Sequence, residues 1–79
     1  MNLSHKLSKL VHKKIVIEIL GQEKLVGGVL KEAGEDYIVL EGFILDEEEK
    51  EYPMGERLYL LNQVVSMYLY GGDKFETIN

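Results

Sequence analysis

Side chains able to do chemistry are few in this sequence, and their spacing limits what they could do. His5 and His12 stand two helical turns apart, with no acidic residue placed to complete a metal site or a general-base pair. Cysteine is absent, which removes thiolate ligands, thiol nucleophiles and disulfides together. The carboxylates bunch in Asp46-Glu47-Glu48-Glu49-Lys50-Glu51, a run without the alternating ligand spacing of a calcium loop. Such a run reads as a solvated loop tip. The glycines fall inside or at the ends of apolar runs and open no helix, so a phosphate cradle is not indicated. No catalytic residue, metal ligand or cofactor is expected.

Charge is distributed unevenly around that sparse chemistry. Lys6, Lys9, Lys13 and Lys14 lie in an N-terminal segment without a single acid, whereas the whole chain carries a formal charge of −5. An acidic balance opposes non-specific binding to nucleic acid, which depends on neutralising phosphates. The aromatic residues are mostly tyrosines, and Tyr59, Tyr68 and Tyr70 fall within the last two apolar runs.

The elements that must hold these residues are short. Leu3, Leu7, Leu10 and Val11 form one stripe at helical spacing, predicting an N-terminal helix over 1–13 with Asn2 or Ser4 as its cap. From Lys14 the period changes to two. Ile15, Ile17 and Ile19 share one face of a first strand, with Val16, Glu18 and Leu20 on the other. Gly21-Gln22-Glu23 is a turn. A second strand, Lys24 to Glu32, carries Gly27 and Gly28 in its middle, as a strongly curved strand would. A third strand follows the turn Glu32-Ala33-Gly34-Glu35 and covers Asp36 to Phe43. Pro53 and Gly55 indicate broken structure after the acidic run. Two further strands, Arg57 to Leu61 and Val64 to Tyr70, are separated by Asn62-Gln63, an interval that suits a tight or 3₁₀-like corner. Gly71-Gly72-Asp73 ends the last strand, and 71–79 is a tail, either frayed or a short added edge strand.

The expected architecture is mainly β in a single domain, 1–79: an N-terminal α-helix (1–13) followed by a five-stranded, strongly bent antiparallel small barrel of SH3 type (14–70). At this length only a small barrel can close, and closure removes vulnerable strand edges. A chain of 79 residues without cysteine has a small core, and self-association is the natural way to bury more surface. Leu58 to Leu61 and Val64 to Tyr70 are apolar on both faces, more than one sheet face can bury. That surplus marks Leu58, Tyr59, Leu60, Leu61, Val64, Val65, Met67, Tyr68 and Tyr70 as an interface with another copy. No apolar run approaches the roughly 20 residues that span a bilayer, and the N-terminus has no secretory h-region, so a cytoplasmic protein without a membrane partner is expected.

The sequence resembles the Sm-like family, which includes the bacterial host-factor RNA chaperone. The likeness rests on Ile15, Ile17 and Ile19, then Gly28-Val29-Leu30, then Asp36-Tyr37-Ile38-Val39-Leu40. It continues through the second motif, Leu58 to Met67, with its sharp corner, and covers about residues 3–70. In character the chain is closest to small bacterial Sm-like proteins of unassigned function. The resemblance implies a homo-oligomer, in the family's case a ring in which the fourth strand of one subunit pairs with the fifth of the next. It also implies an RNA site, here Lys6, Lys9, Lys13 and Lys14 toward phosphate and Tyr37, Asn62 and Gln63 near a base. Ile38, Val39 and Leu40 stand where many members place a base-contacting Asn, and Asn62-Gln63 replaces their cationic corner. A self-associating structural or interaction module is therefore the leading expectation. RNA binding through a reduced or altered site is the alternative, and an SH3-like peptide-binding adaptor the third.

Overall fold

β-Branched and aromatic residues in alternation pull most of this chain into strands. The computed structural model describes residues 3–46, 48, 50–71 and 74–78, with only the backbone described at Ser4, Lys74 and Phe75. A helix, α1 (Leu3–Ser8), precedes β1 (Lys14–Ile19), β2 (Leu25–Ala33), β3 (Tyr37–Leu45) and β4 (Glu51–Leu60). A 3₁₀ turn (Leu61–Gln63) leads into β5 (Val64–Gly71), and β6 (Lys74–Thr77) comes last. The strands form one antiparallel sheet in the order β4-β3-β2-β1-β5-β6.

Successive residues of a strand face opposite sides of the sheet. Even so, Ile15, Val16 and Ile17 on β1 are all fully buried. One side of the sheet carries the main core, in which Ile15, Ile17, Leu30, Ile38, Leu40 and Met67 pack with Leu7 from α1 and Ile78 from beyond β6. Val16 belongs to a second, smaller cluster with Phe43 and Leu45, flanked by Leu25 and Tyr70. A sheet that covers its own central strand on both sides has to bend sharply. Each such side chain, once buried, contributes about 1.5–3 kcal/mol.

Glycines make the bend. Gly27 pairs with Val16 on one side and Phe43 on the other, and a Cβ there would lie 2.7 Å from the Phe43 ring. The ring occupies the space that a side chain would need. Gly28 faces Gly42 across β2 and β3, where a Cβ would meet the Glu41 carbonyl oxygen and the Gly42 Cα at 2.5 Å. Here the obstacle is backbone, which cannot move aside.

Several sequence expectations change. The closed five-stranded barrel is not found: the sheet has six strands among the described residues, it stays open, and β4 and β6 are its edges. The 3₁₀ corner expected at Asn62-Gln63 is present, but it sends β5 to pair with β1 and leaves β4 without β5 beside it. The helix expected over 1–13 stops at Ser8, because the His12 N–H and the Lys13 carbonyl already bond to Leu30 at 2.7 and 2.9 Å and draw the chain into the sheet. Leu10 and Val11 still pack on the main core from the turns that follow. The proposed cap Asn2 lies outside the described residues, as does the side chain of Ser4.

Pro53 and Gly55 do not break the structure but belong to β4. Gly42 pairs with Gly55 and Phe43 with Pro53, so Met54 is an extra residue, and Gly55 takes φ 72° at this bulge. An edge strand tolerates the proline. Within the acidic run Glu47 and Glu49 lie outside the described residues, as do Gly72 and Asp73 before β6.

The tail resolves as the added edge strand. Tyr68 to Gly71 pair with Thr77 to Lys74, the Ile78 N–H bonds to the Met67 carbonyl at 2.8 Å, and the Lys6 ammonium donates to the Ile78 carbonyl at 2.5 Å.

The packing at Gly28 sets a first prediction. Gly28→Ala forces β2 and β3 apart and should cost at least about 2 kcal/mol, the scale of overpacking in a filled core. For a domain of this size that lowers the thermal midpoint by roughly 8 °C or more, read by circular dichroism. An unchanged midpoint removes the close approach as the reason for this glycine.

Candidate nucleic-acid and subunit interface

The residues expected at a recognition site are dispersed over the sheet, and several are engaged within the chain. Lys14 opens β1 with its ammonium over the rings of Phe43 and Tyr70, 4.8 Å from each centroid, and 3.6 Å from a Glu51 carboxylate oxygen. It therefore roofs the smaller core. Lys6 holds Ile78 through the carbonyl just described. Lys9 and Lys13 are exposed.

The 3₁₀ turn sits at the other end of β1. Its Gln63 carbonyl accepts the Leu20 N–H at 2.8 Å, and the Leu61 N–H bonds to the Asp36 carbonyl at 2.8 Å. These two bonds fix the corner beside the start of β3, where Tyr37 pairs with Leu60. The structure thus brings Tyr37 close to the Asn62-Gln63 corner, while Lys14 lies a full strand length away. Asn62 and Gln63 are both exposed and bond to each other at 3.3 Å.

Tyr37 is half-buried and donates its hydroxyl to Glu32 Oε2 at 2.7 Å. That hydrogen bond, reinforced by the charge on Glu32, holds the phenol above the ordinary tyrosine value. Tyr59 is raised too, by burial, with the Arg57 charge opposing. In the acidic loop the Lys50 N–H, the Tyr52 hydroxyl and the Glu48 N–H converge on Asp46 and lower its carboxyl, while Tyr52 rises through the same bond. These hydrogen bonds order the described part of the loop around Asp46. Among the described residues no cluster of His, Asp and Glu has the arrangement of a metal site.

The residues expected at a subunit interface divide by depth. Leu58, Leu60 and Val65 are exposed at 58%, 48% and 54%. Tyr59, Leu61 and Val64 pack partly buried against the main core, Met67 is wholly enclosed in it, and Tyr68 and Tyr70 are half-buried. Leu58 and Leu60 share the outer face of β4 with Val39 and Tyr37 of β3 alongside. Leu20, exposed just past β1, adds apolar surface that was not singled out from sequence, although the alternation of β1 had placed it on the face opposite Ile15, Ile17 and Ile19.

No family model matches the sequence, and no curated protein matches it. Among solved structures the chain is similar to an Sm-like protein from Archaeoglobus fulgidus, with a TM-score of 0.78 and 24% identity over 89% of this chain and 96% of that one. The chain has the Sm-like fold. At this identity the likeness concerns the backbone fold alone.

The bond between Tyr37 and Glu32 sets a second prediction. A phenol whose folded pKa is raised contributes stability that is complete below the unfolded value near 10 and lost as pH rises through the folded value. In an absorbance titration near 295 nm, the difference between wild type and Tyr37→Phe should show a phenol ionising above about pH 10. Ionisation at the ordinary value would break the link between Tyr37 and Glu32.

Proposed function

We propose that the chain is a non-enzymatic Sm-like module that works by self-association, in a structural or interaction role, with further copies of itself as its first partner. One observation carries this reading. The strand β4 lies at an open edge of the sheet and holds Leu58 and Leu60 out to solvent on its outer face. An unpaired strand edge bearing apolar side chains is a template for another strand. Covering those leucines adds about 25 cal/mol for each Å² of apolar surface removed from water. No helix among the described residues is long and apolar enough to cross a membrane.

A second reading, RNA binding, draws on Asn62 and Gln63 standing exposed at the corner beside Tyr37, with Lys9 and Lys13 exposed elsewhere. Net charge of −5 weakens that reading, as does the engagement of Lys6 and Lys14 within the chain.

Light scattering at micromolar concentration should give a mass several times 9.1 kDa. A strict monomer overturns the self-association reading. Fluorescence anisotropy with uridine- or adenine-rich RNA then tests the second: binding should appear at low salt and weaken as salt rises, and no change in anisotropy at low salt removes it.

A further inference from the structure

A second copy that meets β4 must offer a strand edge, and the fold leaves little of β5 for that purpose. One side of β5 pairs with β1 from Leu69 to Val64, and the other pairs with β6 from Tyr68 to Gly71. The Met67 carbonyl on that second side already accepts the Ile78 N–H at 2.8 Å. Only Val64, Val65 and Ser66 remain outside this pairing. The covering strand is also well anchored, since Ile78 is 5% exposed within the main core and its carbonyl takes the Lys6 ammonium.

We infer that β6 is the edge that receives β4 of the next copy, so that assembly continues the sheet head to tail. This inference rests on the self-association reading above. The six strands alternate in direction across the sheet, so β4 and β6 run oppositely. A copy added in line therefore sets its β4 antiparallel to the β6 it meets.

The hydrogen-bonding groups fit that arrangement. Residues along an antiparallel strand turn their N–H and C=O groups alternately to one side and the other. Because Ile78 bonds toward β5, Glu76 and Lys74 do the same, and Thr77 and Phe75 present their backbone groups to the open side. On β4 the Leu61 N–H bonds toward β3, so Tyr59 and Arg57 follow, and Leu60 and Leu58 present theirs outward. Setting Leu58 opposite Thr77 and Leu60 opposite Phe75 matches donors with acceptors at both positions. It also puts the exposed Leu58 and Thr77 side chains on the same outer face, since Ile78 next to Thr77 points into the core. Each subunit then gives one edge and accepts with the other, a heterologous contact that makes a ring if the rotation closes and a filament if it does not.

Thr77→Pro tests this directly, because it removes an outward N–H and spares the inward bonds of Glu76 and Ile78 to β5. With an unchanged far-ultraviolet dichroism spectrum, its assembly should dissociate at a concentration at least tenfold above that of the wild type. A second measurement does not depend on how the proline is tolerated. The chain has no cysteine, so treating Leu58→Cys/Thr77→Cys with a short thiol-specific cross-linker should yield a ladder of covalent multimers on a denaturing gel, since the Cα atoms of a hydrogen-bonded antiparallel pair stand about 5.5 Å apart. A folded Thr77→Pro variant that assembles as the wild type does, or a cysteine pair that gives no multimers, overturns the role of β6 while leaving self-association standing. A wild-type chain that is monomeric fails the earlier test instead.

Discussion

The structure depends on the close passage of β2 over β3 at Gly27, Gly28 and Gly42. With no Cβ at these positions the two backbones approach tightly enough for both strands to fold around β1, and the Phe43 ring drops into the space over Gly27. Only then can Val16 be buried on one side of β1 while Ile15 and Ile17 are buried on the other. A flatter sheet would leave one of these sets in water. At about 1.5–3 kcal/mol for each side chain, that is a large share of the stability a domain of this size commands.

The same bend governs the surface. Lys14 is drawn over Phe43 and Tyr70 at the rim of the smaller core, so this cation serves as a lid over aromatic rings. Lys6 is drawn to the last described residue, Ile78, and ties the helix to the tail. The chain thereby uses part of its limited positive charge to hold α1 to Ile78 and to close the rim of the smaller core. What it leaves open is apolar and strand-shaped: β4 with Leu58 and Leu60 at one edge, β6 at the other.

Much of the strand content was legible because the alternation of β-branched residues is strong in Ile15 to Ile19 and in Ile38 to Leu40. The sharp corner was legible from the abrupt polar pair Asn62-Gln63. Local signals failed where a tertiary contact overrode them. The leucine stripe continues through Val11, yet the bonds from His12 and Lys13 to Leu30 end the helix early. Pro53 and Gly55 look like breakers, yet pairing with Phe43 and Gly42 carries the strand through them as a bulge. For the candidate site, sequence located the exposed corner residues but not their surroundings. Nothing local indicates that Asp36 would hold the corner through Leu61, or that Lys6 and Lys14 would find partners far along the chain.

The sequence by itself determined the strands β1, β2, β3 and β5, that glycines interrupt the second, and that the last two apolar runs hold more hydrophobic surface than one sheet face can cover. These properties follow from side-chain alternation and composition, which are local. Only the tertiary structure decided that the sheet remains open, that the tail fills the outer edge of β5, and that Leu58 and Leu60 stay in water while Met67 does not. Edges, depth and strand partners depend on which distant segments meet. In this chain that is settled by the bend at Gly27 and Gly28, now seen as a backbone contact with β3 as well as a curve in β2.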